Sequence, residues 1–407
     1  MSYARALRCR KCGREHPLQP INLCEFCLSP LEVTYDYQAM SQELTREKIA
    51  SGPRNMWRYR DLLPVESPEV DIGTGCTPLV KADNLGKELG LDELYIKNDC
   101  LTPTYSFKDR VVSVAVTKAR EFGFGTVACA STGNLAASVA AHAAKAKMKA
   151  YVFVPSSVEL GKLVGAAIYN PVLVTVDGSY DDVNRLCARL VEKYKWGFIN
   201  LNLRPYYAEG SKTLGYEVAE QLGWRAPDCA IAPAASGLLF TRIWKGLDEL
   251  SMLRLIEPVN THMYVAQASG SSPIVNAFNA GSLHVHPVKP DTIVKSIAIG
   301  NPADGYYALR VARQSGGGAT AVTDEEAIDG VKLLAQTEGI FAEAAGGVVI
   351  AVLKKLAASG IIKRNELTVA FITGAGPRTQ EILSDSVKPF IVQPTLESVE
   401  EVLGIKN

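Results

Sequence analysis

Short apolar runs alternate with stretches of helical periodicity along most of this chain. Thr126-Val127-Ala128-Cys129-Ala130 is followed by an apolar stretch of small residues over 134–147, then by a strand-like run over 150–154. Val172-Leu173-Val174-Thr175-Val176 precedes 180–194, where Val183, Leu186, Leu190 and Val191 fall on one helical face. The same strand-like runs return at 94–96, 230–232, 263–266 and 367–372. Runs this short read as buried strands, and the 3.6-residue period between them reads as helix. The alternation predicts βαβ units and a mostly parallel sheet, which is the α/β class. Thr323-Asp324-Glu325-Glu326 before an apolar-periodic run reads as a capping box. Pro287-Val288-Lys289-Pro290 and Ser315-Gly316-Gly317-Gly318 read as loop punctuation. Beyond Asp385 the chain carries Pro389 and Pro394, then a short acidic helical stretch, which suits a loosely attached tail.

Composition narrows the class of partner. The chain has 407 residues, enough for two or three domains, with 47% hydrophobic and 21% charged side chains. Forty-three basic residues balance 43 acidic ones, so no charge excess favours nucleic acid or an anionic membrane. Met1 to Cys9 shows no apolar core of a signal peptide, and no apolar run is long enough to span a bilayer. A cytoplasmic location is the expectation.

Cysteine spacing marks a separate unit over 1–35. Cys9-Arg10-Lys11-Cys12 and Cys24-Glu25-Phe26-Cys27 are two Cys-x2-Cys knuckles separated by 11 residues. Each knuckle points two thiolates at one ion, and four thiolates close a tetrahedral zinc site with no position left for substrate. The expected metal set is Cys9, Cys12, Cys24 and Cys27, with a structural role. Arg8, Arg10, Lys11 and Arg14 form a basic cluster too small to argue for nucleic acid. Cys76, Cys100, Cys129, Cys187 and Cys229 are scattered, as reduced thiols are.

Two segments carry candidate chemistry. Thr102-Pro103-Thr104-Tyr105-Ser106-Phe107-Lys108-Asp109-Arg110 opens onto Val111-Val112-Ser113-Val114-Ala115-Val116, a helix apolar enough to be buried. A lysine at its mouth is partly desolvated, as amine–carbonyl chemistry requires, although most lysines are simply exposed. Ser131-Thr132-Gly133-Asn134 links a strand to a helix and offers free N–H groups to an anion, or an ordinary N-cap. Pro233-Ala234-Ala235-Ser236-Gly237-Leu238 is a second such turn. Ile372-Thr373-Gly374-Ala375-Gly376 ends a strand in small residues.

These motifs together resemble the threonine synthase family of fold-type-II pyridoxal-phosphate enzymes. Gly73-Thr74-Gly75-Cys76-Thr77-Pro78-Leu79, Leu203 to Thr213, and Lys295-Ser296-Ile297-Ala298-Ile299-Gly300-Asn301-Pro302 extend the resemblance over about residues 5–385. It implies two open, mostly parallel α/β domains with the cofactor in the cleft between them, plus the small zinc-ribbon-like unit. The implied division is 1–35 for the ribbon, 36–99 with 205–385 for the large domain, 100–204 for the small one, and 386–407 for the tail.

The resemblance also implies roles. Lys108 holds pyridoxal phosphate through its amine. Asn134 bonds the ring's 3′ oxygen, and Thr373 faces the ring nitrogen. The turn of Ala234, Ala235, Ser236, Gly237 and Leu238 takes the cofactor phosphate; it is poorer in glycine than the family's usual version. Ser131, Thr132 and Gly133 take the substrate carboxylate. Arg204, Ser211 and Lys212 are candidates for the substrate phosphate, with Arg110 as a further one. The implied reaction turns O-phospho-L-homoserine and water into L-threonine and phosphate, in a homodimer with small-molecule partners only. Cysteate synthase is the nearest alternative, a threonine or serine dehydratase a more distant one. A zinc-ribbon binding module with a degenerate enzyme body is the alternative from another class.

Overall fold

The computed structural model describes residues 2–405 apart from Pro68, Thr132, Ser157, Glu159 and Val387. At the N-terminus, β1 (Ala4–Cys9), β2 (Glu15–His16) and β3 (Leu31–Tyr35) form an antiparallel sheet in the order β2-β1-β3. Leu31, Val33 and Tyr35 of β3 point to the buried side, as a period of two dictates.

The remaining strands form two sheets. In chain order they are β4 (Leu79–Lys81), β5 (Leu94–Asn98), β6 (Thr126–Ala130), β7 (Lys149–Pro155), β8 (Val172–Val176), β9 (Gly197–Phe198), β10 (Cys229–Pro233), β11 (His262–Ala268), β12 (Gly318–Val322) and β13 (Thr368–Ile372). The smaller sheet runs β8-β7-β6-β9 and is parallel throughout. The larger runs β12-β11-β10-β13-β5-β4 and is parallel except for its edge strand β4. The alternation in the sequence anticipates the parallel strands other than β9 and β12, and does not anticipate the antiparallel β4; β12 begins at Gly318, the last residue of a run that reads as loop.

Helices cover the sheets. Among them are α1 (Lys108–Glu121), α2 (Asn134–Ala146), α3 (Arg204–Gly210), α4 (Lys212–Gln221), α5 (Leu238–Met252), α6 (Gly305–Gln314), α7 (Asp324–Glu338) and α8 (Ala344–Ala358). In α1, Val111, Val112, Val114 and Val116 are all fully buried, each worth about 1.5–3 kcal/mol against exposure. Thr323 and Glu326 exchange the two bonds of a capping box at the start of α7. Gly210 lets α3 lie directly against α1. A Cβ there would sit 2.3 Å from the Arg110 carbonyl oxygen.

Strand β13 lies between β10 and β5, and the order runs outward through β10, β11 and β12 on one side and through β5 and β4 on the other. Such a switch point opens a crevice at the carboxyl ends of the strands. Thr373, at the end of β13, and the 234–238 turn, at the end of β10, lie at that edge. Ser131 to Asn134 extend from the end of β6 in the other sheet. The C-terminal helix Leu396–Leu403 buries none of its residues. Among the described residues, no helix is long and apolar enough to cross a membrane.

Candidate active site

Lys108 is the first residue of α1 and is half-buried. The segment before it is held by Asp109, whose carboxylate accepts from the Thr104 amide (2.7 Å), the Thr104 hydroxyl (2.6 Å) and the Ser138 hydroxyl (2.6 Å). That last bond ties the start of α1 to α2. Tyr105 adopts φ 63°, a left-handed conformation costly for a bulky residue. The strain is offset on both sides: Tyr105 accepts from the Ala375 amide (3.0 Å) and Phe107 donates to the Thr373 carbonyl (2.9 Å). The lysine loop is thus zipped to the end of β13.

Among the described residues, the Lys108 amine has one polar contact, the Tyr207 hydroxyl at 3.1 Å. Its Nζ lies 4.5 Å from the Phe107 ring centroid. Among the described residues, no carboxylate lies within ion-pair distance of it. The amine is therefore not tied up in a salt bridge. Tyr207 comes from α3, which Gly210 holds against α1.

Asn134 begins α2 and reaches the residue ahead of α8, donating from Nδ2 to Glu343 Oε2 at 3.0 Å. Glu343 precedes α8, and its amide donates to the Gly374 carbonyl (2.9 Å), beside Thr373. Burial pushes the Glu343 carboxyl above the ordinary carboxylate range, with Asn134 opposing the shift. Lys108, Tyr207, Thr373, Asn134 and Glu343 are thus gathered from five segments.

The turn after β10 has open backbone amides. Gly237 has φ +88°, and a Cβ there would meet the Asp304 carbonyl oxygen at 2.9 Å. The Ala234 amide is taken by the Ala266 carbonyl (3.0 Å) and the Leu238 amide faces the Ser236 hydroxyl (3.3 Å). Among the described residues, the amides of Ala235, Ser236 and Gly237 have no protein acceptor. Free amides ahead of the 15-residue helix α5 fit a phosphate group. The donors are fewer than the five residues of the turn suggest.

At the end of β6, the Ser131 hydroxyl accepts from the Gly133 amide at 3.3 Å, and Gly133 is exposed. Thr132 lies outside the described residues.

The expected substrate-phosphate residues separate. Arg204, one turn from Tyr207 on α3, remains part-exposed and pairs with Asp304. Lys212 is not brought to this edge. It is fully buried, and its amine is spent on Glu209 (2.7 Å), Glu249 (2.9 Å) and the Leu62 carbonyl (3.0 Å). Ser211 is buried, and among the described residues its hydroxyl has no partner. Arg110 is also withdrawn. Its guanidinium bonds Asp99, Glu217, Thr77 and Thr213 and is fully buried. Burial opposes its charge, but Asp99 and Glu217 outweigh that and hold it well above the usual arginine range. A lysine and an arginine read from sequence as anion donors are internal braces.

Three residues were not singled out from the sequence. Tyr207 lies inside a motif whose charged members drew the eye. Glu343 sits ahead of Ala344-Ala345-Gly346-Gly347, a small-residue run that signals close packing. Arg378 donates to the Thr104 carbonyl (2.5 Å), while its buried Nε has no partner among the described residues.

The four cysteines of the N-terminal unit converge. Cys9 and Cys27 sulfurs are 3.4 Å apart, Cys12 and Cys24 sulfurs 3.7 Å, and all four lie within 4.8 Å of one another. A tetrahedral zinc site with bonds of about 2.3 Å has edges of about 3.8 Å, so the donor set fits that ion.

Residues 70–374 match the model of the pyridoxal-phosphate dependent enzyme family. The chain is 39% identical to threonine synthase of Methanocaldococcus jannaschii, over 97% of its own length and 98% of the relative's. It is 38% identical to threonine synthase of Methanosarcina acetivorans, over 98% of each. Its fold is similar to that of threonine deaminase isoform 2 from Solanum lycopersicum, with a TM-score of 0.63, 21% identity, and 75% and 86% of the two chains covered.

Proposed function

The chain belongs to the pyridoxal-phosphate-dependent enzymes and, within them, to the threonine synthases, and from that premise we propose that Lys108 is the residue that holds the cofactor and moves the protons. The reaction is the conversion of O-phospho-L-homoserine and water to L-threonine and phosphate. Bound pyridoxal phosphate supplies an electron sink for the pair left on carbon when a proton is removed.

This chain's residues do the rest. The Lys108 amine, free of carboxylates and beside the Tyr207 hydroxyl, takes a proton from substrate carbon and returns one later. Tyr207 donates to or accepts from Nζ as its charge changes. Glu343 fixes the Asn134 amide, so that its nitrogen faces the ring oxygen in one orientation. Thr373 presents an uncharged hydroxyl to the ring nitrogen. The amides of Ala235, Ser236 and Gly237 take the cofactor phosphate, with the α5 dipole behind them. Ser131, Thr132 and Gly133 take the substrate carboxylate, and Arg204 takes the substrate phosphate as it leaves. The small unit over 100–204 closes on the large one and excludes all water except the reacting molecule.

Cys9, Cys12, Cys24 and Cys27 hold zinc as a closed structural site. The resemblance supports a cytoplasmic homodimer, which light scattering on the purified protein checks.

The observation that carries the cofactor assignment is the Lys108 amine, paired with a tyrosine hydroxyl and, among the described residues, with no carboxylate within ion-pair distance. Purified protein is expected to be yellow, and Lys108→Ala to abolish phosphate release from phosphohomoserine. A colourless protein, or a variant with undiminished turnover, sinks the assignment.

A further inference from the structure

Arg10 lies between the two cysteines of the first knuckle, yet its side chain leaves the ribbon. The guanidinium is 10% exposed, sits 3.4 Å from the centroid of the Tyr307 ring, and donates from Nη1 to Asp304 Oδ1 at 2.7 Å. The other oxygen of Asp304 pairs with Arg204 Nη2. Asp304 is 2% exposed, and among the described residues no other cation lies within ion-pair distance of it. Its backbone abuts the turn after β10: its amide donates to the Ser236 carbonyl at 2.9 Å, and its own carbonyl is the atom that forbids a Cβ on Gly237. One buried carboxylate thus joins the ribbon, the 234–238 turn and Arg204.

We infer that Arg10 is a positioning residue for the substrate phosphate. By holding one oxygen of Asp304, it limits that carboxylate to a one-oxygen grip on Arg204 and leaves Arg204 able to bind an anion. The argument is one of charge and valence. A carboxylate has two oxygens, and a lone arginine takes both in a planar fork. Without Arg10, Asp304 closes on Arg204 with both oxygens and neutralises it. With Arg10 present, two guanidiniums share one carboxylate and the group stays positive at the edge that faces the leaving phosphate. Glu32, 3.8 Å from Arg10 Nε, does not cancel this excess, because Arg242 lies closer to it at 3.4 Å. The ribbon thereby sets the strength of a site that contains none of its own residues.

The inference rests on the reading that Arg204 contacts the substrate phosphate, and its test separates the two. In the holoenzyme, Arg10→Gln is expected to raise KM for phosphohomoserine, and the inhibition constant of inorganic phosphate, about tenfold, while kcat changes less than twofold. Arg204→Gln is expected to do the same or more, and the double variant to be no worse than Arg204→Gln alone. Cofactor absorbance and zinc content should be those of the parent. Arg10→Lys, which keeps the charge, should recover most of the loss. If Arg10→Gln does not fold, Tyr307→Leu removes the ring that seats Arg10 and should raise the phosphate inhibition constant by a smaller factor. Unchanged KM and phosphate inhibition in the Arg10 variant, or in Tyr307→Leu where it replaces that variant, overturn the inference when Arg204→Gln still shifts both. If Arg204→Gln shifts neither, the reading of Arg204 fails, and the inference with it.

Discussion

Lys108 and Arg110 are two residues apart, and their surroundings are opposites. Lys108 is half-buried, and among the described residues its amine has a single polar partner, a tyrosine hydroxyl. Arg110 is fully buried and makes six hydrogen bonds, four of them to Asp99 and Glu217. A two-residue step on a helix turns a side chain to nearly the opposite face. One face of α1 looks into the cleft and the other into a buried ionic brace that includes Lys97. Charge that is fully paired holds a fold together. Charge left short of partners at a cleft is available for chemistry.

Breaking the sparse side should cost the most activity. Lys108→Ala is expected to lower turnover by about 10³-fold or more, with a thermal midpoint close to the parent's; assay and melting curve together check this. Breaking the dense side should cost the most stability. Arg110→Met leaves Asp99 buried without its cation and Glu217 with Lys97 alone, and is expected to destabilise by about 3–5 kcal/mol, measured by urea unfolding. A parent-like midpoint would show that the brace is not needed.

Smaller changes sharpen the contrast. Tyr207→Phe removes the one hydroxyl at the Lys108 amine, and kcat should fall about tenfold with stability little changed. Glu343 gives a pH signature. Burial raises its folded-state pKa above the ordinary 4.5. Above that pH the unfolded chain releases a proton that the folded pocket retains. Stability from this group is therefore complete below pH 4.5 and declines as pH rises toward the folded value. Glu343→Gln should flatten that decline, seen as a smaller difference between melting midpoints at pH 5 and pH 8.

Much of this was legible in the chain. The run at 126–130 is a strand because a short apolar segment buries both faces; the run at 172–176 is also a strand, but it lies at the sheet edge and buries none of its residues. The cysteine knuckles read true as a cluster because their spacing is local. The segment around Lys108 and the apolar helix after it are likewise neighbours in sequence. What failed was the fate of cations. Lys212 and Arg110 carry the same charge as Arg204, and only burial distinguishes them. Tyr207 meets Lys108 from 99 residues away, Glu343 meets Asn134 from 209, and Arg10 meets Asp304 from 294.

The sequence alone determined the α/β alternation and the thiolate set, because each rests on periodicity or spacing within a few residues; Lys108 was singled out by the family resemblance. Tertiary structure alone decided which charges are spent and which are free. A side chain's partners depend on what packs against it, and here those partners come from the far end of the chain.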